Sequence, residues 1–331
     1  MTHRPERALT ASERHAVRRQ RLARLLIWVT PMMWSTNYLV ARLAAGVVAP
    51  HLLALGRWSL ALAIMLPFAW RSLARDGAPW RREWRQLLVL GALGMWVCGA
   101  FVYLGGQSTA SINIGLFYAA TPVLIALASA RLLHERFSAG QRRGLVLALT
   151  GVLVVVVKGD FENLLAVRFT RGDGWIVVAA LGWAVYSVLL RWWTSCLGTA
   201  ERLVAITGGG VLVLLPCTLI EAVIDPGPAP GLRAVGLMAL AALLPGVLSY
   251  QAYSFMQREL GASRTALVLY LSPLYAALSA WLVLGEAPAW YHAAGAALIL
   301  PSIFLATRGQ VQVSPAGGRA QAGLPGRDVQ A

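Results

Sequence analysis

The chain has 331 residues, of which 58% are apolar and only 13% are charged, and its mean hydropathy is +0.62. A soluble domain of ordinary composition carries about 25% charged residues, so a soluble two-domain enzyme is excluded. The formal charge of +15 does not indicate a nucleic-acid partner, because long apolar stretches separate the arginines. The composition predicts an all-α integral membrane protein whose surroundings are a lipid bilayer and which binds no nucleic acid.

The chain begins with a polar, arginine-rich segment, residues 1–24, which we predict to be a basic arm. Ten apolar runs follow, each about as long as a bilayer is thick. The predicted spans are residues 25–46, 50–70, 87–106, 110–132, 144–157, 174–190, 203–224, 235–256, 265–284 and 290–307. A cleaved signal peptide is the alternative interpretation of the first run, which is long for a signal core. The tail, residues 309–331, is expected to be disordered.

The basic residues predict the orientation of these spans. Twenty-three of the 29 lie in the arm, the tail and the segments on the same side of the membrane as the N-terminus. Four lie on the opposite side, and Arg42 and Arg57 lie within spans. Because arginine and lysine concentrate in cytoplasmic segments, we predict that both termini are cytoplasmic.

The two halves of the chain resemble each other. A shift of 151 residues aligns Pro122 with Pro273 and Glu135 with Glu286, and a shift of 149 aligns Trp34 with Trp183 and Arg42 with Arg191. These matches indicate two five-helix repeats, residues 25–158 and 173–308. Because five is odd, the second copy must be inverted in the membrane, an arrangement typical of secondary transporters. The predicted fold is ten transmembrane helices as two inverted five-helix repeats.

The order of short motifs in both halves resembles a known family. The first half contains Trp34-Ser35-Thr36-Asn37, Thr121-Pro122-Val123, Leu132-Leu133-His134-Glu135 and Gly151-Val152-Leu153; the second contains Leu181-Gly182-Trp183, Leu260-Gly261-Ala262-Ser263, Leu271-Ser272-Pro273 and Leu284-Gly285-Glu286. These resemble the two tandem EamA-type repeats of the drug/metabolite transporter superfamily. The resemblance implies a ten-helix transporter of small metabolites in the cell inner membrane, often an exporter of amino acids or related compounds. His134 departs from it, because the first repeat usually has glycine there.

Polar and aromatic residues inside the spans predict the substrate site, because each polar group there is costly unless it has a partner or faces water. Trp34, Asn37 and Tyr38 share one face of the first span at helical spacing. The predicted substrate-binding residues are Trp34, Asn37, Tyr38, Tyr103, Asn113, Tyr118, Tyr186, Tyr250, Tyr253 and Tyr270. Together they would form an aromatic cavity for a small amphipathic solute. Hydrogen bonds between helices, or an interfacial belt of tyrosines, are the alternatives.

Two prolines and one arginine within spans also invite a functional interpretation. Pro122 and Pro273 each free a carbonyl four residues earlier, so they are predicted to break their helices and act in gating or in lining the site. A static kink that helps packing is the alternative. Arg57 either extends to the membrane surface or balances the charge of a carboxylate-bearing substrate.

The remaining ionisable residues argue against catalysis. The acids and histidines lie in tails, loops or span ends, and Glu135 and Glu286 are predicted to stabilise the helix that follows each of them. The sequence contains no metal-ligand spacing and no phosphate loop, so we predict no enzyme activity, cofactor or metal. The predicted function is secondary transport, in the export direction, of a small organic metabolite such as an amino acid. The alternatives are a multidrug or cationic-compound exporter and, less favoured, a membrane sensor or scaffold.

Overall fold

The computed structural model describes residues 11–75, 80–109, 111–135, 138–160, 162–165, 168–285 and 287–307. Within these ranges the chain is helical and contains no strand. The long helices are α1 (Ala11–Ala44), α2 (Pro50–Leu73), α3 (Trp80–Gly106), α4 (Ser111–Leu132), α5 (Ala139–Val156), α6 (Arg171–Trp192), α7 (Thr199–Ile224), α8 (Leu232–Leu260), α9 (262–284) and α10 (Trp290–Thr307). A helical turn, Glu162–Leu165, follows α5.

A helix therefore lies at the position of every predicted span. Seven of them, α2 to α8, contain a stretch that is long and apolar enough to cross a membrane. The outer face of α7 shows the lipid-facing pattern, since Leu212, Leu219 and Val223 are 68%, 60% and 84% exposed. The chain is a multi-pass membrane protein, and the count of ten spans stays a prediction.

The helices begin earlier than the apolar runs suggest. Helix α1 starts at Ala11, so the described part of the basic arm is a continuous extension of the first span. Helix α3 starts at Trp80, one to two turns before the predicted span, and includes a basic first turn. Hydropathy detects the part of a helix that lies in lipid, whereas backbone hydrogen bonds continue into the polar end.

The prediction that Glu135 stabilises the following helix is wrong. Helix α5 has its own capping box, in which Ser138 and Gln141 exchange side-chain and backbone hydrogen bonds. The carboxylate of Glu135 instead accepts hydrogen bonds from the backbone N–H groups of Ala262 and Ser263, at the start of α9. The acid does meet the positive end of a helix, but that helix belongs to the second repeat. Glu286 lies outside the described residues.

Contacts between the two repeats are reciprocal. Helix α1 packs on α8 and α9, and α6, its counterpart in the second repeat, packs on α3 and α4. Helices α2 and α7 pack on each other, as do α5 and α10. In the last pair the backbones touch: a Cβ on Gly295 would lie 2.9 Å from the carbonyl oxygen of Gly151. Two copies of one unit related by an approximate two-fold axis make contacts of this kind.

Three helices contain non-α segments. Helix α3 is π-helical at Ala92–Val97, and α8 is π-helical at Ala242–Leu248, which is the corresponding place in the second repeat. Helix α9 passes through a 3₁₀ segment, Leu267–Leu271, immediately before Pro273. Such segments leave carbonyl groups without their usual i→i+4 partner and often mark functional sites or hinges.

Candidate functional site

A cavity of about 610 Å³ lies between α1, α3, α4 and α9. Its mouth is at the end of the bundle that carries the α1–α2 and α3–α4 loops, where the lining residues Arg42, Ala45 and Gln107 are exposed. We call this the open end. Buried lining residues deeper inside include Ala119 and Ser272. The volume is within the range of about 300–1,000 Å³ that is usual for small-molecule sites.

Four of the ten predicted substrate-binding residues line this cavity: Tyr38, Tyr103, Tyr118 and Tyr270. Pro273 also lines it, and Tyr270 belongs to the 3₁₀ segment that precedes this proline. The cavity wall therefore brings together tyrosines from four helices of both repeats. It combines aromatic faces with hydroxyl groups, and a role of these residues in binding a substrate stays a prediction.

Four other predicted residues, Trp34, Tyr186, Tyr250 and Tyr253, are absent from the cavity lining. With Trp183 they form an aromatic cluster whose ring centroids are 5.1 to 6.2 Å apart. The hydroxyl of Tyr250 donates to the carbonyl of Gly94 at 2.9 Å, and that of Tyr253 lies 2.9 Å from Ser187 Oγ. The cluster packs α1, α6 and α8 together.

Arg57 is buried, with 3% of its surface exposed, so the interpretation that it extends to the membrane surface is wrong. Its guanidinium donates to Asn37 Oδ1 at 3.1 Å, to the Tyr103 hydroxyl at 3.2 Å and to the Pro245 carbonyl at 3.1 Å. It also lies 4.5 Å from the centre of the Trp58 ring. None of these partners is charged, and within the described ranges no carboxylate forms an ion pair with Arg57.

The remaining predicted residues take part in packing between helices. Asn37 is absent from the lining, and its Oδ1 also accepts from the Tyr103 hydroxyl at 2.7 Å. Asn113 is 1% exposed and donates to the carbonyl of Arg168 and to Asp173 Oδ2. Pro122 lies in an uninterrupted α-helix. A substrate role for these residues stays a prediction.

The lining also contains polar residues that sequence reasoning missed. Ser35 and Ser279 lie 3.1 Å apart, oxygen to oxygen, and join α1 to α9 at the cavity wall. Ser272 precedes the lining proline. Small residues such as Gly115 and Ala276 also line the cavity. The alternation of small and aromatic residues at helical spacing is the signal that could have identified them.

The electrostatic character of the cavity is basic. Its lining includes Arg42 and His292, and no aspartate or glutamate occurs among the lining residues that the structure describes. Arg57 adds a second guanidinium behind Tyr103, whereas His292 Nδ1 accepts a hydrogen bond from the N–H of Ala289. The described ranges also contain no group of His, Cys, Asp or Glu that could hold a metal ion.

The opposite end of the bundle, which carries the α4–α5, α6–α7 and α8–α9 loops, is held together by contacts between the repeats. We call it the closed end. Glu135 binds the start of α9. Glu83 accepts from Ser195 Oγ at 2.5 Å and from the N–H of Cys196 at 3.1 Å, and Arg19 forms an ion pair with Glu259. Among the described residues, the exposed part of the cavity lining lies at the open end.

Comparison with known proteins identifies relatives over most of the chain. An "Uncharacterized transporter" of Archaeoglobus fulgidus is 26% identical, covering 87% of this chain and 98% of its own. A "Probable terminal-alkyne amino-acid exporter" of Streptantibioticus cattleyicolor is 25% identical over 75% of this chain and 80% of its own length. An "S-adenosylmethionine/S-adenosylhomocysteine transporter" of Chlamydia trachomatis is 24% identical, covering 80% and 83%.

A solved crystal structure shares the fold, with a TM-score of 0.68 at 22% identity, over 86% of this chain and 96% of the other. The sequence pattern of the EamA-like transporter family matches twice, at residues 21–157 and 170–308, so this chain contains two copies of the family's unit. These two matches confirm the resemblance that the motifs indicate. The chain belongs to the EamA-like transporter family.

Proposed function

We propose that this protein is a secondary transporter that exports a small organic metabolite, with an amino acid as the leading substrate class. The observation that carries the proposal is the one-sided cavity. It is large enough for such a solute, it is lined by tyrosines and hydroxyl groups, and it is closed toward the opposite end. A cavity accessible from one side at a time is what alternating access requires.

The basic character of the cavity favours an amino acid over the cationic compounds of the alternative proposal. A cation would be favoured by a carboxylate at its charged end, and the described lining contains none. The described lining offers the guanidinium of Arg42 at the mouth instead. The names of two relatives, an amino-acid exporter and an S-adenosylmethionine/S-adenosylhomocysteine transporter, support an amino-acid-like solute and, in the first case, export.

We further propose ten spans in two inverted repeats, with both termini in the cytoplasm and the protein in the cell inner membrane. The arginine distribution and the reciprocal packing of α1 and α6 support this arrangement. Reporter fusions at Gly198 and Gly227 test it, since the first should be cytoplasmic and the second external. The reverse pattern would contradict the orientation.

The function is tested first by comparing metabolites in the medium and in cells of deletion and overexpression strains. The solute that accumulates outside on overexpression is then followed in vesicles. Ala119→Phe places a ring in the cavity, whereas the matched control, Ala120→Phe, places it on the exposed side of the same turn. We expect export to be lost in the first variant and retained in the second, with both variants folded. Normal export by Ala119→Phe would show that the solute does not pass through this cavity.

A further inference from the structure

One carboxylate joins the two repeats at the closed end. Glu135, in the α4–α5 loop, accepts from the N–H of Ala262 at 3.0 Å through Oε1 and from the N–H of Ser263 at 3.1 Å through Oε2. The Ser263 hydroxyl donates to Oε2 as well. Both carboxylate oxygens therefore bind the first turn of α9, where unpaired N–H groups and the helix dipole favour a negative charge. We call these three hydrogen bonds the Glu135 clamp.

The backbone on both sides is shaped for this contact. Glu135 follows His134, which has φ of +53°, and its N–H bonds back to the carbonyl of Ser129 in a turn that ends α4. On the other side, Gly261 has φ of +87°, and a Cβ at this position would lie 2.9 Å from Glu135 Oε1. Glycine is required at residue 261 both for its conformation and for the approach of the carboxylate.

The helix that Glu135 holds is also a wall of the cavity. From the clamp, α9 runs through a short α-helical turn, Ala262–Ala266, and then through the 3₁₀ segment Leu267–Leu271. Leu269 and Tyr270 in that segment, followed by Pro273, line the cavity. Because 3₁₀ hydrogen bonds have poorer geometry than α-helical ones and a proline removes a further donor, this segment is the weakest part of the helix.

Two other side-chain contacts between the repeats at the closed end are made outside α9. Glu83 binds the α6–α7 loop at Ser195 and Cys196. Arg19 binds Glu259, near the end of α8. Glu83 is therefore a natural control for Glu135: it too is a carboxylate that bridges the repeats at the closed end, but its described hydrogen bonds go to the α6–α7 loop and not to the start of α9.

We propose that Glu135 is a positioning residue of the transport cycle: the Glu135 clamp holds the start of α9 against α4 and keeps the closed end shut. Its release lets the first turns of α9 pivot at the 3₁₀ segment and admits solute from the closed end. A solute that presses on Tyr270 or Leu269 acts on the same segment, which couples occupancy of the cavity to the clamp. This inference rests on the proposed transport function, but its test needs no substrate.

The accessibility of an introduced cysteine measures from which end of the bundle the cavity can be reached. In a variant without the three native cysteines, Cys98, Cys196 and Cys217, Ala119→Cys places a thiol in the cavity wall. A membrane-impermeant maleimide should label it from the open end only. Adding Glu135→Ala should raise the rate of labelling from the closed end by about tenfold or more, because all three hydrogen bonds to a charged group are lost and a factor of ten corresponds to only about 1.4 kcal/mol. Adding Glu83→Ala instead should leave that rate near its original value.

Hydrogen exchange supplies a second measurement that a general loss of folding would not reproduce. Glu135→Ala should speed exchange of the amides of residues 262–271 and leave residues 195–197 unchanged, whereas Glu83→Ala should do the reverse. Glu135→Gln keeps one acceptor oxygen and should fall between wild type and Glu135→Ala. Unchanged sidedness in Glu135→Ala would overturn the proposal, as would an equal response to Glu83→Ala. If the sidedness of labelling changes as expected but no transported solute is found, the proposed transport function is contradicted and the proposed role of the Glu135 clamp is not.

Discussion

The buried cation at the repeat interface leads to a counter-intuitive order of stabilities. Arg57 donates to Asn37, Tyr103 and Pro245, all of them neutral, and its Nε has no hydrogen-bond partner within the described residues. Arg57→Met removes both the cation and its three hydrogen bonds. Asn37→Leu keeps nearly the same volume as asparagine and leaves the cation in place. We nevertheless expect replacement of Asn37, the smaller and neutral residue, to lower the free energy of unfolding more than replacement of Arg57.

The reason is what each change leaves unpaired. After Arg57→Met, Asn37, Tyr103 and Pro245 all lose the Arg57 donor. The Tyr103 hydroxyl still donates to Asn37 at 2.7 Å, so the loss that matters most is at the Pro245 carbonyl. Losing this hydrogen bond lowers the free energy of unfolding by about 1–3 kcal/mol. Removing an unpaired buried charge also removes its desolvation penalty of several kcal/mol, and this gain offsets the loss. After Asn37→Leu, the hydroxyl loses its acceptor and the guanidinium loses one, at a cost of roughly 2–4 kcal/mol.

Thermal unfolding of the purified protein in detergent measures the order. With a shift of roughly 2–4 °C per kcal/mol, Asn37→Leu should lower Tm by about 4–16 °C and Arg57→Met should change it by less than about 3 °C. Thr150→Val is the control, because its hydroxyl bonds only within α5 at an exposed position. A larger loss of stability in Arg57→Met than in Asn37→Leu would refute the reasoning, because it would show that the charge of Arg57 is balanced.

Three further substitutions test the backbone analysis by the same measurement. His134→Gly should raise stability by about 1 kcal/mol, because φ of +53° is strained for a residue with a Cβ; a lower Tm would contradict this. Gly295→Ala should lower stability by about 1–3 kcal/mol, because its Cβ would lie 2.2 Å from Val155 Cγ2 and 2.9 Å from the Gly151 carbonyl. Gly236→Ala, with no atom within 4 Å, should raise stability by about 0.5–1 kcal/mol and is the control for Gly295→Ala.

The sequence was sufficient for the family and for the positions of the helices. Apolar runs locate spans because lipid imposes a minimum length, and the paired prolines and glutamates show the duplication because the two copies kept them in the same order. Helix starts such as Trp80 and Ala11 lay beyond this reasoning. They depend on backbone hydrogen bonds that continue outside the apolar region, where composition carries no signal.

The site was harder to predict, for a geometric reason. Helical spacing shows which residues share a face but not what that face contacts, and a polar face can meet either a cavity or another helix. Trp34 and Tyr38 are one turn apart, yet Tyr38 lines the cavity while Trp34 packs in the aromatic cluster. Glu135 shows the same difficulty, since a helix N-terminus was correctly expected as its partner but the partner lies 127 residues away.

The irregular backbone lies before one of the two paired prolines, Pro273, and in two π-segments where the repeats stabilise each other. Helix α4 continues through Pro122, and in the third helix of each repeat the α-helix gives way to a π-segment instead. In each π-segment a carbonyl accepts from a side chain of the other repeat: Gly94 from Tyr250, and Pro245 from Arg57. Buried carbonyl groups need partners, so neither third helix can shift without changing its contact with the opposite repeat. This reciprocal dependence gives a physical reason for the two halves to change conformation together as α9 is released.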